Sequence, residues 1–229
     1  MPDSIPTPIV PIKESDWALF QRINTYVHGY MSQPGHDNSH DYQHILRVVS
    51  NANKIFRAEQ TANRTSNLDT SALFLAALLH DVGDHKYTKA GEDPERQAYN
   101  VMRENGAPED LAEKVQTLVK HVGYTNEVKN PQSVVNVLAR HPELAIVQDA
   151  DRLDAIGAVG IGRCFAFGAV KGGRPLSGAI DHFEEKLYRL KDMMKTEAGK
   201  QMAEHRTSLL RAFAAEFNSE SELSFPIPN

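Results

Sequence analysis

The sequence predicts an all-α fold, a single-domain helical bundle, on three observations. An unbroken apolar run, Ala72 to Leu78, extends through Leu79 directly into His80 and Asp81. Several other segments repeat their apolar residues at helical spacing and are separated by Pro, Gly and Asn. No segment of useful length alternates apolar and polar residues as a half-buried strand must, and there is no internal repeat.

Composition sets the outer limits. A chain of 229 residues is long enough for one domain with a real core. Hydrophobic and charged contents of 41% and 24% are those of a soluble globular protein. The net charge of -5 and the lack of a long basic run give no reason to expect nucleic acid as a partner. One cysteine, Cys164, excludes an internal disulfide framework and suits a reducing compartment. No stretch approaches the roughly 18 apolar residues of a membrane span. The Pro-punctuated start, with Pro2, Pro6, Pro8 and Pro11, lacks the basic and then apolar pattern of a signal peptide. No membrane partner is therefore expected, and the location expected is cytoplasmic.

Taken in order, residues 1–13 read as an extended arm. Ser15 and Asp16 can cap a first helix reaching about Met31, with Trp17, Phe20, Ile23, Val27 and Tyr30 on one face. A polar turn over 32–39 contains Pro34-Gly35. The second helix is expected over about 41–62, with Ile45, Val49, Ala52 and Phe56 as its core stripe. At about 100° per residue His44 falls at the edge of that stripe, one turn after Asp41, where a side chain is half buried and faces a cleft. A polar linker, 63–69, leads into the apolar run, which covers every side of a helix and so marks a central, buried element. Gly83 offers the left-handed residue that commonly ends a helix. An imidazole and a carboxylate thus arrive together at the last turn of a buried helix, where a bound cation compensates the cost of burying them.

Residues 84–94 read as loop, followed by two amphipathic helices over about 94–105 and 108–122. The second ends in Lys120-His121 ahead of Gly123, and 124–132 reads as a polar connection. A long helix over 142–168 starts with Pro142 in its first turn. Its stripe is Ile146, Ala150, Leu153 and Gly157, with Asp149 and Asp151 on opposite flanks and Asp154 on the side of Asp151. Gly157, Gly160 and Gly162 allow a close approach by another helix or a ligand. A loop carrying Lys171 and Arg174 precedes two terminal helices, about 177–195 and 197–217, and a tail over 218–229.

Two imidazoles, His44 and His80, and two carboxylates, Asp81 and one on the long helix, make a mixed nitrogen and oxygen set. Such a set suits one octahedral divalent ion, Mn²⁺, Fe²⁺, Co²⁺, Ni²⁺ or Mg²⁺, better than a thiolate zinc site. Four protein groups leave about two positions on an octahedral ion for water and substrate oxygens. Helical spacing does not choose between Asp149 and Asp151 as the distal ligand.

Three strings in this order, Asp41-Tyr-Gln-His-Ile-Leu-Arg-Val48, Ala77-Leu-Leu-His-Asp-Val-Gly83 and Asp149-Ala-Asp-Arg-Leu-Asp-Ala-Ile-Gly157, resemble the HD superfamily of metal-dependent phosphohydrolases. The resemblance spans roughly residues 25–170, and its force lies in the ordered set, since His36-Asp37 and His40-Asp41 are further HD dipeptides in a polar turn. The third string is similar to the subgroup whose bacterial members hydrolyse nucleoside triphosphates to monophosphate and pyrophosphate. The resemblance implies His44, His80, Asp81 and Asp151 as metal ligands, the Ala-Asp-Arg-Leu register favouring Asp151. Asp149 and Asp154 are then left to support the ligands or to act as base. The expected chemistry is a water whose pKa the ion lowers from about 15.7 towards about 7, with Asp81 or a nearby carboxylate taking its proton.

Lys86, Lys120, Lys171 and Arg174 are candidate cations for the leaving phosphates, and His121 a candidate phosphate contact or general acid. Arg47 can pair with Asp41 or reach phosphate, and His85 can stand at the site's edge. His28, His141, His182 and His205 read as structural or exposed. The expected substrate is a nucleotide or phosphate ester, with a nucleoside monophosphate phosphomonoesterase and a non-catalytic nucleotide-binding regulator as alternatives.

Overall fold

A computed structural model describes residues 5–33, 41–83 and 96–225, which contain helices, turns and loops and no strand. The all-α expectation holds. The centre is α3 (Thr70–Leu79), in which every residue from Ser71 to Leu79 is buried. Asp69 starts it by accepting the Ser71 N–H at 3.2 Å. An all-apolar helix can be satisfied only by neighbours on all sides, and it has them. They are α1 (Trp17–Met31), α2 (Tyr42–Thr61), α5 (Glu109–Val122) and α8 (Glu143–Asp154). Asp41, extended at φ -98° and ψ 177°, starts α2 by accepting the His44 N–H at 2.9 Å.

Between α3 and α5 lies α4 (Gln97–Glu104), joined to α5 through Gly106 at φ 87°. The polar stretch expected to be a connection over 124–132 is helical instead, as α6 (Tyr124–Lys129) and α7 (Pro131–Arg140). No apolar face holds α6, which has no buried residue, so periodicity carries no trace of it. Its anchor is Glu127, which accepts from Arg152 and, at 2.8 Å, from Lys195. Burial pushes the Glu127 carboxyl up, but Lys195 and Arg152 outweigh it and hold the group below its ordinary value.

The single long helix expected over 142–168 is broken. After α8 the chain turns at Ala155 and Ile156 and resumes as α9 (Gly157–Gly172), bent by 68°. Gly157 sits at φ 78°, and a β-carbon there would lie 3.0 Å from Cγ of Arg206. At Gly160 a β-carbon would collide with the carbonyl of Ala155. These glycines therefore serve the break rather than a straight helix. The next expected helix is segmented too, into α10 (Leu176–His182), a π turn at Phe183–Leu187, α11 (Tyr188–Leu190) and a 3-10 turn at Lys191–Met193. The last, α12 (Glu197–Glu220), packs on α2, α8 and α9.

Asp149 organises that last junction. It is fully buried and accepts from the backbone N–H groups of Lys195 and Thr196 and from the Thr196 hydroxyl, at 2.7–2.9 Å for the shortest contacts. Gly199 lets α12 come this close, since a β-carbon would strike the Asp149 carboxylate. No single described helix is long and apolar enough to cross a membrane, and the bent pair α8–α9 that passes by composition includes a helix buried in the core.

Candidate metal centre

Three elements converge where α3 ends. His44 projects from the first turn of α2, His80 caps α3, Asp81 follows it, and Asp151 stands one turn before the end of α8. Gly83, at φ 83°, turns the chain away just after the pair, as its place after the apolar run led us to expect. The Nε2 atoms of His44 and His80 lie 3.1 Å apart. Asp81 reaches to 3.2 Å of His44 Nε2 and 3.4 Å of His80 Nε2. Asp151 Oδ1 lies 3.7 and 3.8 Å from the same two nitrogens. Donor atoms of His44, His80 and Asp81 all fall within 4.8 Å of one another. An octahedral ion with bonds of about 2.1 Å sets adjacent donors about 3.0 Å apart, so the spacing of these three groups matches one shared coordination sphere.

The proton positions follow from the partners. His80 Nδ1 is 3.0 Å from the Ala77 carbonyl, which can only accept, so that nitrogen carries the hydrogen. His44 Nδ1 is 2.8 Å from Oδ2 of Asp154, which burial would push up but which hydrogen bonds from His44 and Arg47, together with the Arg163 charge, hold well below the usual carboxylate range. His44 therefore donates from Nδ1 as well. Two neutral rings then aim Nε2 lone pairs at each other beside two carboxylates. A cation relieves that repulsion, and the donor set fits a divalent metal. In the metal-free protein burial pulls the His44 pKa down, but hydrogen bonds to Asp154 and Asp81 prevail and the net shift is upward.

The imidazoles are almost fully enclosed, with side-chain exposures of 1% and 2%, whereas Asp81 and Asp151 keep 16% and 28%. The carboxylate side is thus the open side of the cluster. Full burial of His44 corrects the half-buried edge position expected from helical spacing. Arg47 pairs with Asp154, through Nε at 2.8 Å and Nη2 at 3.1 Å, and not with Asp41. Arg163, which the sequence did not single out, adds a second guanidinium partner to Asp154 at 3.0 Å.

The remaining expected residues are divided. Asp149, left open as a distal ligand, faces the start of α12, whereas Asp151 faces the imidazoles. Asp154 lies behind His44, on the Nδ1 side of the ring, which corrects its expected use as a base: a carboxylate held so far below the ordinary range is a poor proton acceptor. His121 engages both ring nitrogens, Nδ1 with the Thr117 carbonyl at 2.7 Å and Nε2 with Ser133 Oγ at 3.0 Å. Gln148, on α8, donates to the His121 carbonyl at 2.8 Å, which ties that end of α5 to the helix bearing Asp151. Lys86 and His85 lie outside the described residues, as does the side chain of Lys171. Arg174 is exposed, and its aliphatic stem packs where a β-carbon on Gly178 would sit.

Comparison with known proteins agrees with the three-string pattern. Residues 41–156 match the HD domain family. An uncharacterized protein of Bacillus subtilis, YpgQ, is 31% identical over 204 residues, covering 87% of this chain and 92% of its own. The crystal structure of YpgQ in complex with ADP is similar at a TM-score of 0.66 and 30% identity, over 87% of this chain and 96% of that one. A crystal structure of an HD-superfamily hydrolase from Bacillus thuringiensis is similar at a TM-score of 0.62 and 29% identity, over 87% and 95% of the two chains. The chain belongs to the HD domain family, and its general chemistry is that of a metal-dependent phosphohydrolase.

Proposed function

We propose that the protein hydrolyses a nucleotide phosphoanhydride, taking a nucleoside triphosphate to the monophosphate and pyrophosphate, with one divalent ion held by His44, His80, Asp81 and Asp151. The observation that carries this reading is the pair of opposed Nε2 atoms 3.1 Å apart with two partly open carboxylates beside them. The ADP bound to YpgQ supports a nucleotide as the ligand class. A divalent ion in such a set lowers the pKa of water and polarises a phosphoryl oxygen.

The chain's own groups have separable tasks. Asp154 fixes the His44 ring and its tautomer, and Arg47 and Arg163 keep Asp154 ionised. Asp81, on the open side, receives the proton of the attacking water. Water oxygen bonds to the α-phosphorus, the bond from that phosphorus to the bridging oxygen breaks, and pyrophosphate leaves with the electron pair. Lys86 is assigned to the departing phosphates. His121 can serve as phosphate contact or acid once Nε2 is released from Ser133.

The test is a nucleotide panel with Mn²⁺, Co²⁺, Ni²⁺ and Mg²⁺ in which pyrophosphate and orthophosphate are both assayed. Pyrophosphate from triphosphates is expected. Orthophosphate from monophosphates would transfer the assignment to a phosphomonoesterase, and tight nucleotide binding without either product to a regulator. Asp81→Ala is expected to lose both metal retention and turnover, and wild-type activity in that variant removes Asp81 from the mechanism.

A further inference from the structure

Behind the metal cluster is a second concavity. It has a volume of about 380 Å³ and lies between α2, the beginning of α9 and α12. None of His44, His80, Asp81 and Asp151 lines it. Asp154 is the partition: its carboxylate meets His44 on Nδ1, and the ring's other nitrogen faces the cluster. The two ring nitrogens point to opposite sides, so the cavity and the cluster are separated by an imidazole and a carboxylate.

The wall is cationic in a protein whose net charge is -5. Arg47, Lys54, Arg206 and His205 line it against one carboxylate, Asp154, which Arg163 already neutralises from another direction. Arg206 is held in place by the Leu153 carbonyl and by Asn51 Oδ1 at 3.1 Å. Among the described residues the side chains of Lys54 and His205 have no hydrogen-bonding or ion-pairing partner. Gly157, Ala158 and Val159, the first turn of α9, complete the rim, and no side chain caps that helix. Its positive end therefore adds to the same field. Val159 and Leu209, 45% and 41% exposed, give the rim an apolar portion.

Clustered cations, with the Lys54 ammonium uncommitted and the His205 ring beside it as a hydrogen-bonding group, attract a compact multivalent anion, and an apolar portion beside them favours an anion with an organic part. We infer that this cavity is a second ligand site, taking a small organic phosphate independently of the metal cluster. The inference does not rest on the metal or on the reaction.

Binding of ADP and of orthophosphate to the full-length, metal-loaded protein tests it, with metal content measured on every sample. The double variant Lys54→Glu/His205→Ala is compared with wild type and with Arg140→Glu, an equal charge reversal at an exposed position on α7 outside the cavity. The expected result is that one binding component weakens at least about tenfold in the double variant and is unchanged in Arg140→Glu. A component tighter for ADP than for orthophosphate identifies an organic phosphate, and equal binding of both identifies the free anion. Identical stoichiometry and affinity in all three proteins overturns the site. Loss of metal or of turnover from the double variant with no binding component weakened overturns the site as well.

Discussion

Replacing Asp154 by Asn isolates the support of the metal cluster from the cluster itself. The carboxylate is 2% exposed and takes hydrogen bonds from His44 Nδ1, from Nε and Nη2 of Arg47 and from Nη1 of Arg163. An amide of the same shape offers one acceptor oxygen and turns an NH₂ donor toward the others. Breaking one side of a buried ion pair costs about 3–5 kcal/mol. Arg47 is 34% exposed and its share is partly screened, so we expect the lower end, about 3 kcal/mol. For a chain of this length that is a fall in Tm of about 6–12 °C. A second effect is chemical. An amide donating to Nδ1 forces the hydrogen onto Nε2, which removes the lone pair aimed at the cluster, and metal affinity should fall about 10–100-fold. Thermal unfolding with chelator present reads the first effect, and equilibrium dialysis against buffered Mn²⁺ the second. A variant that melts with wild type and binds Mn²⁺ with wild-type affinity refutes the tautomer reasoning outright.

Three further outcomes are expected. Asp149→Ala should lower stability by about 2–4 kcal/mol, because three donors at the start of α12 lose a buried partner, while metal binding survives; Asp151→Ala should do the reverse, and denaturant melts paired with metal analysis distinguish them. The pH response has two windows. His44 is raised in the metal-free protein, so its contribution to stability is full below its unfolded value of about 6.5 and is lost as pH climbs through the folded one; Asp154 is depressed, so its contribution is present above about 4 and lost as pH falls towards the folded value. Melting temperatures of chelated protein from pH 3 to 9 should show both, and a flat profile across the imidazole range would exclude the raised His44. Gly157→Ala should cost about 1–3 kcal/mol, since it places a side chain at φ 78° against Arg206, and an unchanged Tm would show that the α8–α9 break does not depend on glycine.

Much of this architecture is written locally. The run from Ala72 to Leu79 has no polar face, so it has to be the centre of an α-helical core, and whatever follows it has to sit at the core's edge. That alone delivers His80 and Asp81 to a buried position, with Gly83 free to turn the chain away at positive φ. The spacing of His44 after Asp41 likewise places an imidazole on the first turn of a neighbouring helix, because Asp41 is that helix's cap.

The tertiary structure decided what helical spacing leaves open or invisible. Asp149 and Asp151 flank the same stripe on opposite sides. Only the neighbours on each side, α12 for one and the end of α3 for the other, make the first a cap and the second a partner of the imidazoles. On an unbroken helix Asp154 and Arg163 would face opposite ways and stand about 13.5 Å apart along the axis. The 68° bend brings them to 3.0 Å, which is why no periodicity in the sequence reveals that Asp154 is a buried, clamped carboxylate. The helix α6 escaped for a related reason: it is held by charge through Glu127, Arg152 and Lys195, and a hydropathy pattern records burial of apolar faces, not ion pairs formed between distant parts of the chain.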